Sequence, residues 1–179
     1  MTQSNLKSPS TMPLAKIKPL IYRLINAIEL EEVKWNSIGD GRSSLAMMYL
    51  YAGNALADEN LSQKGIHLVE EVFNGMDDKE QSILHRMDYY GGLCGFLSVL
   101  ANLTKYELLE FDLSSIGSLD ELLADWACQQ LVDSNTDFFE GAMGVMNYFI
   151  QRLPNAEELS PDEYHLLQSL NLMLKLLPN

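Results

Sequence analysis

Cysteine, positive charge and long apolar runs are all scarce in this sequence. Two cysteines, Cys94 and Cys128, stand apart without the spacing of a disulfide framework, a usage that fits a reducing, cytoplasmic setting. Only 12 Lys and Arg oppose 25 Asp and Glu, so the net charge of -13 disfavours phosphate backbones and anionic lipid surfaces. Neither a nucleic-acid nor a membrane partner is expected. No run of about 18 uncharged apolar residues exists to span a bilayer. The opening Met1 to Thr11 is polar and rich in Ser and Thr, with no signal-type apolar core before Pro13. Soft metal ligands are few: His67, His85, His165 and the two cysteines form neither a Cys-x-x-Cys nor a His-x-x-x-His pair, so no metal site is expected in this chain.

A repeat is what the sequence does contain. Asp137-Phe138-Phe139-Glu140-Gly141-Ala142-Met143-Gly144 matches Asp88-Tyr89-Tyr90-Gly91-Gly92-Leu93-Cys94-Gly95, set 49 residues earlier. A further 51 residues back, Gly41-Arg42-Ser43-Ser44 keeps the beat with Ser at the second small position. A unit of about 50 residues marks a repeat architecture whose neighbours bury one another, and it is too long for tetratricopeptide or ankyrin units. At 179 residues, 47% hydrophobic and 21% charged, the chain can bury a real core. The reading is a flexible arm over 1–13, then one helical-hairpin domain over 14–179 with three repeats, inner helices starting near 41, 92 and 141.

Apolar periodicity supplies the helices. Ile17, Leu20, Ile21, Leu24, Ile25 and Ile28 recur at steps of three and four, predicting an amphipathic helix to about Glu32 with Pro19 in its first turn. Leu45 to Ala52 and Leu93 to Ala101 are almost wholly apolar, and Val145 to Ile150 mostly so; these helices must be covered on most sides. Between them lie one-sided stripes: Ile66, Leu68, Val69, Val72 and Phe73, then Leu119, Leu122, Leu123, Trp126, Ala127 and Leu131, then Leu166, Leu167, Leu170, Met173, Leu174 and Leu177. Covered helices alternating with half-wet ones describe an all-α fold, an α/α toroid of helical hairpins. Strand signals are weak, with Glu107 to Ile116 a short extended or irregular connection. Trp35 is expected to staple onto the neighbouring core. Ser160-Pro161 opens the last helix with a capping residue and a proline at the first position.

The paired small residues Gly92 and Gly95, Gly141 and Gly144 fall near one face at each inner-helix start. Glycine there forfeits roughly 1 kcal/mol of helix propensity per site, so a close approach by backbone or ligand is expected. In these motifs the chain resembles the lanthionine synthetase C-like proteins, peptide-modifying cyclases built as an α/α toroid of about seven hairpins. The resemblance covers nearly the whole chain but only the N-terminal half of a family member, about half a toroid in roughly seven helices. It implies addition of a peptide Cys thiol to a dehydrated Ser or Thr, with zinc on two Cys and one His activating the thiol. Those ligand motifs belong to the family's C-terminal half and do not occur here. No zinc is therefore expected unless that half is present, and no cyclase activity from this chain alone. The resemblance also implies a catalytic acid at Asp137; the plain reading of that residue is a carboxylate stabilised by a helix dipole.

Cys94, between the two glycines, reads as a packing residue or a reactive thiol, and Cys128 as packing. Partners follow from the incomplete ring: a peptide or protein ligand, and either self-association or pairing with the missing half. Two other functions share the pattern. One is a helical-repeat scaffold that binds a peptide on its concave side. The other is a toroid glycosidase using Asp88 and Asp137, with Tyr89, Tyr90, Phe138 and Phe139 stacking on sugar.

Overall fold

A computed structural model describes residues 14–28, 33–76, 82–154 and 158–177. The arm over 1–13 and the end of the first helix near Glu32 lie outside them. Among the described residues seven helices run in order: α1 (Leu14–Ile28), α2 (Arg42–Leu56), α3 (Glu59–Asn74), α4 (Leu93–Lys105), α5 (Gly117–Val132), α6 (Ala142–Arg152) and α7 (Pro161–Leu176). Short 3-10 turns occupy Ile83–His85 and Leu113–Ile116, and no strand occurs among the described residues. None of these helices is long and apolar enough to cross a membrane.

The chain divides into two compact units, Met1–Glu32 and Val33–Asn179. In the first, α1 begins at Leu14 rather than near Ile17, so Pro19 lies inside the helix and not in its first turn. There it removes one backbone hydrogen bond.

In the second unit, α4 packs between α2 and α6; α3 lies against α2, while α5 and α7 lie against α6 and each other. Burial follows from that order. Every residue from Gly92 to Ala101 is buried, so α4 is the covered helix the apolar run demanded. Its Phe96 meets Phe73 of α3 edge-on at 5.0 Å, and Phe73 stacks on Phe111 at 5.5 Å. The helices on either side are covered less completely than expected. Ala46, Tyr49, Leu50 and Ala52 of α2 are buried but Tyr51 is exposed; Val145, Met146, Tyr148 and Phe149 of α6 are buried but Ile150 is exposed. Each of these two helices has α4 on one flank only within this unit.

The one-sided stripes are narrower than the apolar residues suggested. On α5 the buried line is Asp120, Leu123, Ala124, Ala127 and Leu131, leaving Leu122 outside; on α7 it is Leu166, Leu170 and Met173, leaving Leu174 outside. The connection over 107–116 is irregular and ends in its 3-10 turn. At Ser160 the capping box is complete: its hydroxyl accepts from the Glu163 N–H, and the Glu163 carboxylate accepts from the Ser160 N–H.

Candidate functional site

All three helices α2, α4 and α6 begin on a glycine in an extended backbone conformation, Gly41, Gly92 and Gly141. Each is the last residue of a loop with one recurring geometry. The N–H just after the glycine donates to the carbonyl six residues before it: Arg42 to Trp35 at 2.8 Å, Leu93 to Arg86 at 2.8 Å, Ala142 to Asn135 at 3.2 Å. That bond folds the loop back over the glycine, leaving no room for a side chain. A Cβ on Gly41 would sit 2.6 Å from the Trp35 carbonyl oxygen, on Gly141 2.8 Å from that of Asn135, and on Gly92 against that of Arg86.

A side-chain oxygen four residues before each glycine holds the turn. Ser37 Oγ accepts from the Asp40 N–H at 3.2 Å, and Asp88 Oδ1 from the Gly91 N–H at 2.7 Å. Asp137 Oδ1 accepts from the N–H groups of Phe139 and Glu140 at 2.7 and 2.8 Å. In each turn a short polar side chain stands in for a backbone acceptor. Asp137 thus has a defined structural duty, and its carboxylate is exposed. Asp88 is buried and takes Arg86 Nε on its other oxygen at 2.6 Å. That bond, the largest influence, holds the guanidinium pKa above its ordinary value.

The second glycines leave room for a carbonyl of their own loop, that of Tyr89 over Gly95 and that of Phe138 over Gly144, and for a side chain of the loop before. A Cβ on Gly95 would come within 2.8 Å of Ile38 Cγ2 from the loop before, and one on Gly144 within 2.7 Å of Tyr89 Cβ. Backbone joins the loops as well: the Gly39 N–H donates to the Tyr90 carbonyl at 3.2 Å, and the Tyr90 N–H to the Phe139 carbonyl at 3.1 Å. Arg86 reaches across to Glu140 Oε1 at 3.3 Å. Ring pairs Tyr89 with Phe138 at 5.0 Å and Tyr90 with Phe139 at 6.4 Å close the seam. Gly92, Gly95, Gly141, Gly144 and Asp137 therefore lie together on one loop face.

Two clefts open on this face. One of about 390 Å³ is lined by Trp35, Asp40, His85, Arg86 and Tyr90 among others; one of about 420 Å³ is lined by Tyr90, Asp137, Phe139 and Glu140. Trp35 does not staple onto the core. Its carbonyl is needed by the loop, and its ring stays exposed at the cleft edge. Tyr90 borders both clefts.

Of the remaining candidates His85 borders the first cleft, and the others line neither. Cys94 is buried, and burial pushes its thiol well above the ordinary range, which suits packing and not nucleophilic attack. Cys128 is half-buried on α5, its thiol also raised by burial and then by Asp125. His67, His85 and His165 are exposed. Among the described residues no three His, Cys, Asp or Glu side chains converge to hold a metal ion, so the residues described do not fit a zinc site.

Sequence reading missed one polar cluster altogether. The buried Asp120 on α5 accepts from the Tyr148 hydroxyl at 2.7 Å and from Arg152 Nη1 at 2.8 Å, both on α6. Arg152 also donates to the Leu113 carbonyl at 3.1 Å. Burial pushes the Asp120 carboxyl up, and Tyr148 and Arg152 pull it back in part. The available signal was Tyr148 and Arg152 at i and i+4, facing an acid inside an apolar stripe.

A family model described as lanthionine synthetase C-like protein matches residues 32–177, which include all three glycine loops. No curated protein and no solved structure matches the chain. With most of its length matched, and with an all-helical fold, this chain belongs to the lanthionine synthetase C-like family.

Proposed function

We propose that the chain is the peptide-receiving part of a thioether-forming cyclase, with metal ligands supplied by residues outside those described. The observation that carries the reading is the thrice-built glycine loop, which gathers exposed Trp35, Tyr90, Phe138 and Phe139 and two clefts at one set of helix starts. Such a face suits a peptide: aromatic rings offer apolar area, and loop carboxylates and Arg86 offer polar contacts. By itself the chain binds peptide without closing rings.

Asp137 is the acid proposed for proton transfer in the assembled enzyme. The chain's surroundings are proposed to be cytoplasmic, in keeping with its free thiols.

The test pairs binding with chemistry. A dehydrated, Cys-containing peptide is titrated with the purified chain by fluorescence anisotropy, and its free thiol is then counted by alkylation and mass spectrometry. Binding with the thiol retained is the expected result. Loss of the thiol in the presence of this chain alone would overturn the claim that ring closure needs further residues. Equal binding of an undehydrated peptide lacking Cys would instead favour a general peptide scaffold, a second reading supported by the clefts themselves. The glycosidase reading has less support, since Asp88 is buried and bound to Arg86 and its own loop.

A further inference from the structure

Two side chains of the first glycine loop stand where the loop itself asks only for backbone. Residue 35 shares its place with Arg86 and Asn135, and in each loop the fold uses that residue's carbonyl. Residue 40 shares its place with Gly91 and Glu140, and there the fold uses the N–H, which donates to Ser37, Asp88 and Asp137 in turn. The Trp35 indole and the Asp40 carboxylate are therefore not needed for the turn. Both line the cleft of about 390 Å³.

The walls of this cleft favour a positive charge. Asp40 Oδ1 accepts from the buried Ser37 hydroxyl at 2.6 Å, which fixes the carboxylate; among the described residues its Oδ2 has no partner. The Trp35 ring is 58% exposed. The Tyr90 ring, 42% exposed, rests on Gly39, the residue before Asp40, where a Cβ would collide with it, and it meets Phe139 edge-on. Two aromatic rings and a half-used carboxylate around one cavity are the groups that take an organic cation. His85 and Arg86 are the basic side chains of the same cleft. Arg86 is committed to Asp88 at 2.6 Å and to Glu140 at 3.3 Å, so two acids answer its one charge. His85 is exposed, where water screens it.

We propose that this cleft receives an arginine side chain, with its charge on Asp40 Oδ2 and its flat guanidinium against the aromatic wall of Trp35 and Tyr90. Stacking on aromatic faces is what a guanidinium does better than an ammonium. The arginine belongs to the peptide of the proposed function, and for that source of the charge the inference rests on that reading. The chain's net charge of -13 draws a basic peptide in before the cleft selects it.

The experiment begins with a small probe. Acetyl-arginine amide is titrated into the isotopically labelled chain and the indole N–H signals are followed by NMR, Trp35 being the signal lost in Trp35→Leu and Trp126 the reference. Expected is a saturable shift of Trp35 alone, with affinity at least about fivefold weaker for the neutral acetyl-citrulline amide or in Asp40→Asn, whose Oδ1 still serves Ser37. Glu121→Gln, which removes an exposed charge on α5, leaves the affinity in place. Equal affinity for the two amides, or equal losses in the two variants, overturns the proposal, because the charge is then unread or is drawn by the chain's acidity alone. The comparison is repeated by fluorescence anisotropy with two dehydrated, Cys-containing peptides that carry Arg or citrulline at one position. A preference of about fivefold for Arg, lost in Asp40→Asn, is expected. Equal binding of the two peptides overturns the peptide as the source of the charge. If neither peptide binds while the amide still shifts Trp35, the peptide-receiving reading fails and the cation specificity of the cleft stands.

Discussion

Asp120→Ala tests whether the buried Asp120, Tyr148 and Arg152 cluster locks α5 to α6. The Asp120 and Arg152 side chains are 8% and 5% exposed and 2.8 Å apart, so removing the carboxylate leaves a guanidinium charge in the interior. Breaking a buried pair from one side costs about 3–5 kcal/mol. Here Arg152 keeps the Tyr148 hydroxyl at 2.8 Å and the Leu113 carbonyl at 3.1 Å, which places the expected loss near the low end, about 3 kcal/mol. Against a total stability of roughly 5–15 kcal/mol, that is a large fraction. In urea, with a slope of about 2 kcal/mol per molar, the midpoint falls by roughly 1.5 M. A triple variant, Asp120→Leu with Tyr148→Phe and Arg152→Met, removes every member that would be stranded and is expected to lose less than the single change. A single variant within about 0.3 M of the parent midpoint, or a triple variant as damaged as the single one, would refute the reasoning.

Gly92→Ala is expected to cost more than about 2 kcal/mol in the same assay, because its methyl meets the Arg86 carbonyl. Gly117→Ala, with nothing within 4 Å, is expected to be neutral or stabilising by up to about 1 kcal/mol. Asp137→Asn preserves the Oδ1 acceptor for Phe139 and Glu140 and is expected to leave stability nearly unchanged, whereas Asp137→Leu lowers stability by about 1 kcal/mol; equal effects would count against the turn. Stability should fall in alkali. Burial raises the Cys94 and Tyr148 pKa values, so the folded chain keeps protons that the unfolded chain releases above about pH 8.5 for the thiol and about pH 10 for the phenol. Each group in its window contributes a loss of about 1.4 kcal/mol per pH unit, and Cys94→Ala should flatten the lower window in urea titrations; a slope unaltered by that change sinks the assignment. In the native protein a thiol reagent should modify Cys128 first and reach Cys94 only on unfolding, and simultaneous reaction would contradict the burial of Cys94.

The all-helical fold was legible because its strongest signals are local. A glycine followed by an unbroken apolar run marks where a covered helix begins, and α4 realises that pattern from Gly92 to Ala101. Less was legible at the helix margins. Periodicity admits any apolar residue at a step of three or four, yet the buried arc is set by the neighbours, so Leu122 and Leu174 fell outside it. Pro19 was misplaced because nothing in Leu14 to Lys16 announces a helix start. The polar interior was invisible for a different reason. Asp120 finds its partners on α6, across a distance in sequence that no local window spans. At the loop face the glycines were readable as sites of close approach. What approaches them, a carbonyl six residues back and a side chain from the preceding loop, emerges only when the loops fold.

The three loops also separate what Asp137 shares from what sets it apart. Ser37, Asp88 and Asp137 all cap their own turn, so a turn-holding oxygen answers a need common to every helix entry and by itself argues for no reaction. Charge distinguishes them. The first loop uses a neutral hydroxyl, and the second neutralises its acid with Arg86 from the start of the same loop. In the third loop the position of Arg86 is taken by Asn135, whose amide donates to Gln130 and to the Glu140 carbonyl instead. Asp137 therefore lacks the guanidinium that Asp88 has within its loop. Both of its backbone hydrogen bonds run through Oδ1, and the carboxylate borders a cleft of about 420 Å³. If this face has proton-transfer chemistry, Asp137 and not Asp88 is the residue placed to perform it, and holding the turn does not prevent it from doing so.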